Sequence, residues 1–227
     1  MDRRRLRRLF ELPKSVVLRV WPASPRGNKG CLIADRSIGR VGLSGEFMSA
    51  STNNDWIAQQ HAARERSIAG GGRPGLARVE LLAGKSGLEI LQAMMSGELP
   101  YPPMNETMNM VLLEVERGRA VFQGIPLGVH YNPLSSVHGG WFATLLDSAM
   151  GCSVQSTLPP GRSYTTAELS INIVRPASHK TGPLRAVASV IHDGRQLATA
   201  EARVTDASGK LYAHATTTCF VFDVAPG

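Results

Sequence analysis

Apolar and polar positions change rhythm along the chain, and the changes mark its elements. "KSGLEILQAMMSGELPYPP" spaces Leu88, Leu91, Ala93, Met94 and Met95 as a short helix. Ser86 and Glu89 supply the S-x-x-E capping box at its start, and Gly97 suits its end. Pro100, Pro102 and Pro103 forbid continuation. "NMVLLEVERGRAVFQG" then gives two apolar runs about Arg117-Gly118, a hairpin signal. Its first run places Val111, Leu113 and Val115 on one face and Leu112, Glu114 and Glu116 on the other, with Leu112 spoiling the alternation. From Gly139 to about Leu158 the rhythm turns helical for the one long helix of this part. "TAELSINIVRP" alternates again, with Ala167, Leu169, Ile171 and Ile173 on one face. Three further strands follow, separated by turns at 192–195 and 206–210, and such short loops force antiparallel neighbours.

One antiparallel sheet must bury a face, and the long helix is the only expected element large enough to cover it. The pattern therefore predicts an α+β domain of roughly 140 residues, a curved sheet around one central helix. It is assigned to residues 79–227. Residues 1–78 show no sustained period; "MDRRRLRRLFELPK" is Arg-rich, and "AGGGRPG" (Ala69–Gly75) is a break. They read as a basic, poorly ordered extension. Three accounts fit it: an upstream stretch wrongly included in the reading frame, which we rank first, a tail for an acidic surface, or a targeting segment.

The net charge of +7 belongs to that extension. Residues 1–80 hold 15 Lys and Arg against 7 Asp and Glu; residues 81–227 hold 10 against 11. A near-neutral domain without a basic aromatic face argues against a nucleic-acid module. No apolar run is long enough for a membrane helix. Cys31, Cys152 and Cys219, odd in number and without paired spacing, fit a reducing, cytoplasmic setting, and Cys152 and Cys219, in apolar surroundings, read as buried small hydrophobes.

The central helix carries the chemistry. Trp141, Leu145, Ala149 and Cys152 form an apolar side with Phe142 and Leu146. Gly140, Ala143, Thr144, Asp147 and Gly151 form a second face of small residues and one carboxylate. Desolvating a carboxylate costs several kcal/mol unless it is paired. Gly139 and Gly140 cost about 1 kcal/mol each inside a helix relative to Ala. At a helix start, however, unpaired amides meet the positive end of the dipole, and glycine lets a ligand atom approach them. That is how an oxyanion hole is built. Taken singly, each of these residues has a plainer structural reading: Asn132, Pro133 and His138 as turn residues, the glycines as a tight turn, Asp147 as a cap or ion-pair partner.

Together, "N-x5-HGG-x6-D" on a long apolar helix, "TTAELSINIVRPA" and "GRQLATAEARVTDASGKLYAHATTT" resemble the hotdog-fold thioesterases of the phenylacetic-acid-degradation type, in the 4-hydroxybenzoyl-CoA thioesterase superfamily. The resemblance covers roughly residues 85–222. It implies the hotdog fold and hydrolysis of an acyl-CoA thioester; the family accepts many acyl groups, and a small aryl or medium acyl thioester is the first reading. It implies Asp147 as general base or nucleophile and the Gly139 N–H as donor to the thioester oxygen. Asn132, His138 and Gly140 would shape the substrate site. Thr166 would help hold the water, with Thr165 the neighbouring option. No cofactor is implied, coenzyme A being part of the substrate. The family pattern also implies a homodimer, or a tetramer of dimers, with each site built from two chains.

Absent motifs narrow the alternatives. No Gly-x-Ser-x-Gly elbow occurs, and no His/Cys spacing suggests a metal. Ser135 and Ser136 read as loop residues. Arg162, Lys180 and Arg195 are candidates for the coenzyme A phosphates, or solvated charges. Trp141, Phe142 and Met108–Met110 are candidate pocket walls, or core. Besides the enzyme, a non-catalytic acyl-CoA-binding module is the alternative. A dehydratase of the same fold ranks low, since no His/Glu pair replaces Asp147.

Overall fold

The computed structural model describes residues 52–224. Their elements, in chain order, are α1 (Asn53–Ala69), α2 (Val79–Leu82), α3 (Gly87–Ser96), α4 (Met104–Thr107), β1 (Met110–Glu116), β2 (Arg119–Gly124), α5 (Gly139–Gln155), β3 (Arg162–Ile173), β4 (Leu184–Asp193), β5 (Leu197–Thr205) and β6 (Leu211–Asp223). The strands form one antiparallel sheet in the order β1-β2-β4-β5-β6-β3. α5 touches all six strands. This is the expected hotdog arrangement, a curved sheet around a central helix.

The core explains why α5 lies there. Phe142, Leu145, Leu146, Ala149, Met150 and Val154 are sealed from solvent. Opposite them the strands offer alanine: Ala186 and Ala188 on β4, Ala198, Ala200 and Ala202 on β5, Ala213 and Ala215 on β6, all buried. Alanine is a poor strand former. Here its small side chain leaves room for the large residues of the helix, so the two surfaces interdigitate at close range.

Two bulges correct the expected faces. In β1 the register shifts between Leu112 and Glu114. Met110 and Leu112 are buried before the shift, and Val115 packs on the core after it. Val111, Leu113 and Val115 therefore do not share a face. In β3 the register shifts between Thr166 and Glu168. Leu169 and Ile171 pack on the core, whereas Ala167 is exposed. An extra residue in one strand reverses the alternation beyond it.

Order also begins earlier than the sequence suggested. Residues 1–51 of the expected extension lie outside the described residues, but residues 53–69 form α1. Thr52 and Asp55 cap it reciprocally: Thr52 Oγ1 accepts from the Asp55 N–H at 3.2 Å, and Asp55 Oδ2 accepts from the Thr52 N–H at 2.8 Å. Its inward face reads Trp56, Gln60, Ala63 and Ser67. Two of these four are polar, so the apolar period is faint. α1 is thus a second 17-residue helix, before the stretch for which one long helix was expected.

α1 is fastened by a buried amide. Gln123 on β2, with no exposed surface, donates through Nε2 to the Trp56 carbonyl at 2.7 Å and to Gln60 Oε1 at 3.0 Å. Its Oε1 accepts from Arg185 Nε at 2.8 Å, and the Arg185 guanidinium lies 4.0 Å from the centre of a Trp56 ring. Gln123→Leu should destabilise the protein by about 1–3 kcal/mol, because it strands buried polar partners. Urea unfolding followed by circular dichroism checks this; an unchanged midpoint would mean that α1 is not fastened here.

The small-residue face of α5 meets β3. A Cβ on Gly151 would lie 2.1 Å from the Tyr164 hydroxyl oxygen. Gly151→Ala should therefore destabilise, although alanine favours a helix by about 1 kcal/mol. Adding Tyr164→Phe should recover only part of the loss, because the ring Cζ and Cε2 would still lie 2.9 Å and 3.1 Å from that Cβ. Thermal melts of the two single variants and the double variant measure the coupling.

Candidate active site

The site is built from the start of α5, its middle, and the edge strand β3. His138 is the N-cap, with extended backbone at φ −62° and ψ 140°. Its Nδ1 accepts from the Gly140 N–H at 2.8 Å, which requires the tautomer with Nδ1 unprotonated. That bond divides the two glycines. The Gly140 amide is taken by the cap, while the Gly139 N–H has no partner among the described residues. A Cβ on Gly140 would also stand 3.0 Å from His138 Nδ1. Gly140 thus serves the helix start, and Gly139 keeps the donor free.

Asn132 is occupied too. Its Oδ1 accepts from the Leu134 N–H at 2.9 Å and the Ser136 N–H at 3.2 Å, and its Nδ2 donates to Ser136 Oγ at 3.0 Å. The side chain folds the loop into an Asx turn, with Ser135 at φ +60°. The loop so formed leads directly into His138. The turn reading of Asn132 is the one its contacts display.

Asp147 sits two turns into α5, half-buried, on the face with Gly140, Thr144 and Gly151. Thr166 Oγ1 donates to its Oδ1 at 2.9 Å. Thr165 is exposed and forms no such bond. Thr166 precedes the β3 bulge, so its side chain shares the inward face with Leu169 beyond it, despite the odd spacing. No Lys or Arg pairs with Asp147 among the described residues. The carboxylate is left with one hydroxyl donor and free lone pairs. A half-buried carboxylate in that state can accept a proton from water or attack an electrophile.

Two neighbours feel the surroundings of Asp147. Burial, with the Asp147 charge second, pushes the Cys152 thiol up to about 12. Burial raises the Tyr164 phenol well above its usual value, with smaller contributions from Cys152 and Asp147. Both therefore stay protonated at neutral pH, and neither is a nucleophile there. Cys152 and Cys219 are free thiols; Cys31 lies outside the described residues.

The remaining candidates separate. Arg162 pairs with Asp223 at 3.1 Å and donates to the Arg195 carbonyl, which ties β3 to the β4–β5 turn. Lys180 sits in the loop before β4. Trp141 and Phe142 belong to the core, and Trp141 Nε1 donates to the Met108 carbonyl at 2.9 Å. Among the described residues no group of three His, Cys, Asp or Glu side chains is placed to hold a metal, and no helix is long and apolar enough to cross a membrane. Sequence reasoning missed that His138 consumes the Gly140 amide; a histidine directly before a double glycine at a helix start is the signal for such a cap.

Comparison with known proteins agrees with this fold. The family model of the thioesterase superfamily matches residues 134–213. The 1,4-dihydroxy-2-naphthoyl-CoA hydrolase of Listeria monocytogenes is 28% identical over 108 residues, 48% of this chain and 86% of the relative. A phenylacetic acid degradation-related protein from Ralstonia eutropha JMP134 superposes with a TM-score of 0.53 at 30% identity, over 57% of this chain and 98% of that one. A conserved protein from Pseudomonas aeruginosa superposes with a TM-score of 0.51 at 27% identity, over 54% and 95%. With the hotdog sheet, the capped double glycine and the Asp147–Thr166 pair on one helix face and its edge strand, these likenesses make the chain a member of the thioesterase superfamily, a thioester hydrolase of the hotdog fold and phenylacetic-acid-degradation type.

Proposed function

We propose that the protein hydrolyses a small aryl- or medium-chain acyl-CoA thioester to the free acid and coenzyme A. The observation that carries this reading is the Thr166 hydroxyl held 2.9 Å from the Asp147 carboxylate, on the helix whose first amide, at Gly139, is free. In this mechanism the Gly139 N–H donates to the thioester oxygen and stabilises the charge that develops on it. Asp147 takes the proton of an attacking water, or attacks the carbonyl itself. Thr166 orients the carboxylate by occupying one oxygen and leaving the other to the reaction. His138, through its bond to the Gly140 N–H, fixes the helix start so that the Gly139 donor is preorganised.

Distance argues for two chains per site. Gly139 and Asp147 are eight residues apart on one helix, about 12 Å along its axis. Reacting atoms must come within about 3–3.5 Å. One chain's amide and carboxylate cannot flank the same carbonyl. β3 is an edge strand of 12 residues whose other side pairs with nothing among the described residues. Such an edge is normally covered or paired. Two copies meeting along β3 would bring the Asp147 face of one chain to the α5 start of the other.

Asp147→Asn keeps the shape and the acceptor for Thr166 while removing the base. Its kcat should fall by about 10²–10⁴ with an unchanged melting temperature. A thiol-release assay over a panel of acyl-CoAs reads this, and turnover within a few-fold of wild type would overturn the role of Asp147.

The two-chain site is tested by mixing Asp147→Asn with Gly139→Pro, which lacks the donor N–H. Mixed dimers should regain one intact site, and the mixture should exceed both parents. With both variants folded and subunit exchange established by mass spectrometry, activity no higher than either parent would place each site within one chain.

A further inference from the structure

α1 roofs a cavity of about 80 Å³ over α3 and the first two strands. One water-sized group takes about 10–15 Å³ by the same measure, so the space holds roughly five to eight heavy atoms. Ala63, Leu91, Met94, Met110 and Phe122 make its walls apolar. Gly139, Asp147 and Thr166 do not line it. The cavity is therefore separate from the proposed catalytic groups.

Three charged side chains reach it: Arg64, Arg66 and Glu106. Two are engaged. Arg64 donates to Asn109 Oδ1 at 2.9 Å, and Glu106 accepts from the Tyr101 hydroxyl at 2.8 Å. The Tyr101 phenol, raised by burial and by Glu106, also feels the Arg64 charge, so these three groups share one end of the cavity. Arg66 is different. Its guanidinium forms no ion pair among the described residues. Arg64 and Arg66 flank the inward Ala63–Ser67 stripe on opposite sides, at about +100° and −60° from Ala63 around the helix. Arg66 and Met95 also line a shallow surface groove with Gln92, Ser96 and Val115, none of them acidic. The residues common to both spaces mark where the cavity opens to the surface. An apolar chamber with an uncompensated guanidinium at its mouth selects an anionic head on an apolar body.

We propose that this cavity is a second binding site, for a small monocarboxylate whose apolar body, a straight chain or one phenyl ring, has roughly five to eight carbons. The body lies among Ala63, Met94, Met110 and Phe122, and the carboxylate meets Arg66. The assignment does not depend on thioester hydrolysis. It gives α1 a ligand as well as a fastening: an acid bound there touches α1, α3 and the sheet together and favours the docked helix by mass action.

The test follows the methionine methyl groups of the wild-type protein by NMR while hexanoate, hexanol and hexylamine are added in turn. Hexanoate should shift the Met94, Met95 and Met110 methyls saturably, hexanol more weakly, and hexylamine not at all. Affinity should rise about fourfold per methylene from butyrate to hexanoate and stop rising beyond about nine carbons, where the cavity is full. Arg66→Ala should weaken hexanoate about three- to fivefold, the scale of an exposed charge pair, and hexanol by less than about twofold. Ala63→Phe, folded by circular dichroism, should abolish both; if it does not fold, the wild-type methyl shifts and Arg66→Ala decide. Hexylamine binding as well as hexanoate, or equal losses of acid and alcohol in Arg66→Ala, overturns the carboxylate assignment. Hexanoate that leaves Met94, Met95 and Met110 unmoved, or that binds unchanged in folded Ala63→Phe, overturns the site.

Discussion

A 17-residue helix carrying Phe142, Leu145, Leu146, Met150 and Val154 holds too much apolar surface to remain in water, and one sheet must take it in. The alanine-rich inner faces of β4, β5 and β6 let the sheet close on the helix at short range. Once α5 is seated, little freedom is left to its other residues. Its start is fixed against the His130–His138 segment through the His138 N–H to His130 carbonyl bond at 2.8 Å. Its middle is fixed under the edge strand. The proposed chemistry therefore sits on a helix that touches all six strands, as a preorganised site requires.

The face of α5 that turns away from the core is as constrained as the face that enters it. Gly151 admits the Tyr164 hydroxyl, and Asp147 meets Thr166. A larger residue at position 151 would push β3 outward and lengthen the bond that orients the carboxylate. Small residues on this face are thus explained within one chain by the close packing of β3. The same face, where β3 ends the sheet, is also the one that a second copy would have to approach in the proposed two-chain site.

α1 extends the logic to the other edge of the sheet. Its docking relies on a buried polar network instead of an apolar stripe. Such networks are costly when half satisfied and specific when complete. Gln123 meets its partners on both sides, so α1 is held in one register over β1 and α3. This position makes it one wall of a cavity that Met94, Met110 and Cys152 also line.

The sequence by itself determined the class of fold, the central helix from Gly139, the hairpin at Arg117-Gly118, the tight turns of the last three strands and the Ser86–Glu89 cap. All depend on local chemistry: apolar period, glycine at turns, side chains that reach their own backbone. It also singled out Asp147, since a carboxylate on a core helix contradicts its neighbours wherever the helix packs. Tertiary structure decided the rest. Bulges at Leu113 and Ala167 are set by pairing with another strand, so alternation alone put Leu113 with Val115 and could not place Thr166 inward. The Gly140 amide is removed by a cap whose geometry depends on the loop that Asn132 folds. α1 was invisible because it buries Gln60 and Ser67, polar residues whose partners lie 63 and 27 positions away in the chain. Local pattern encodes what a residue prefers; only the assembled sheet fixes what it meets.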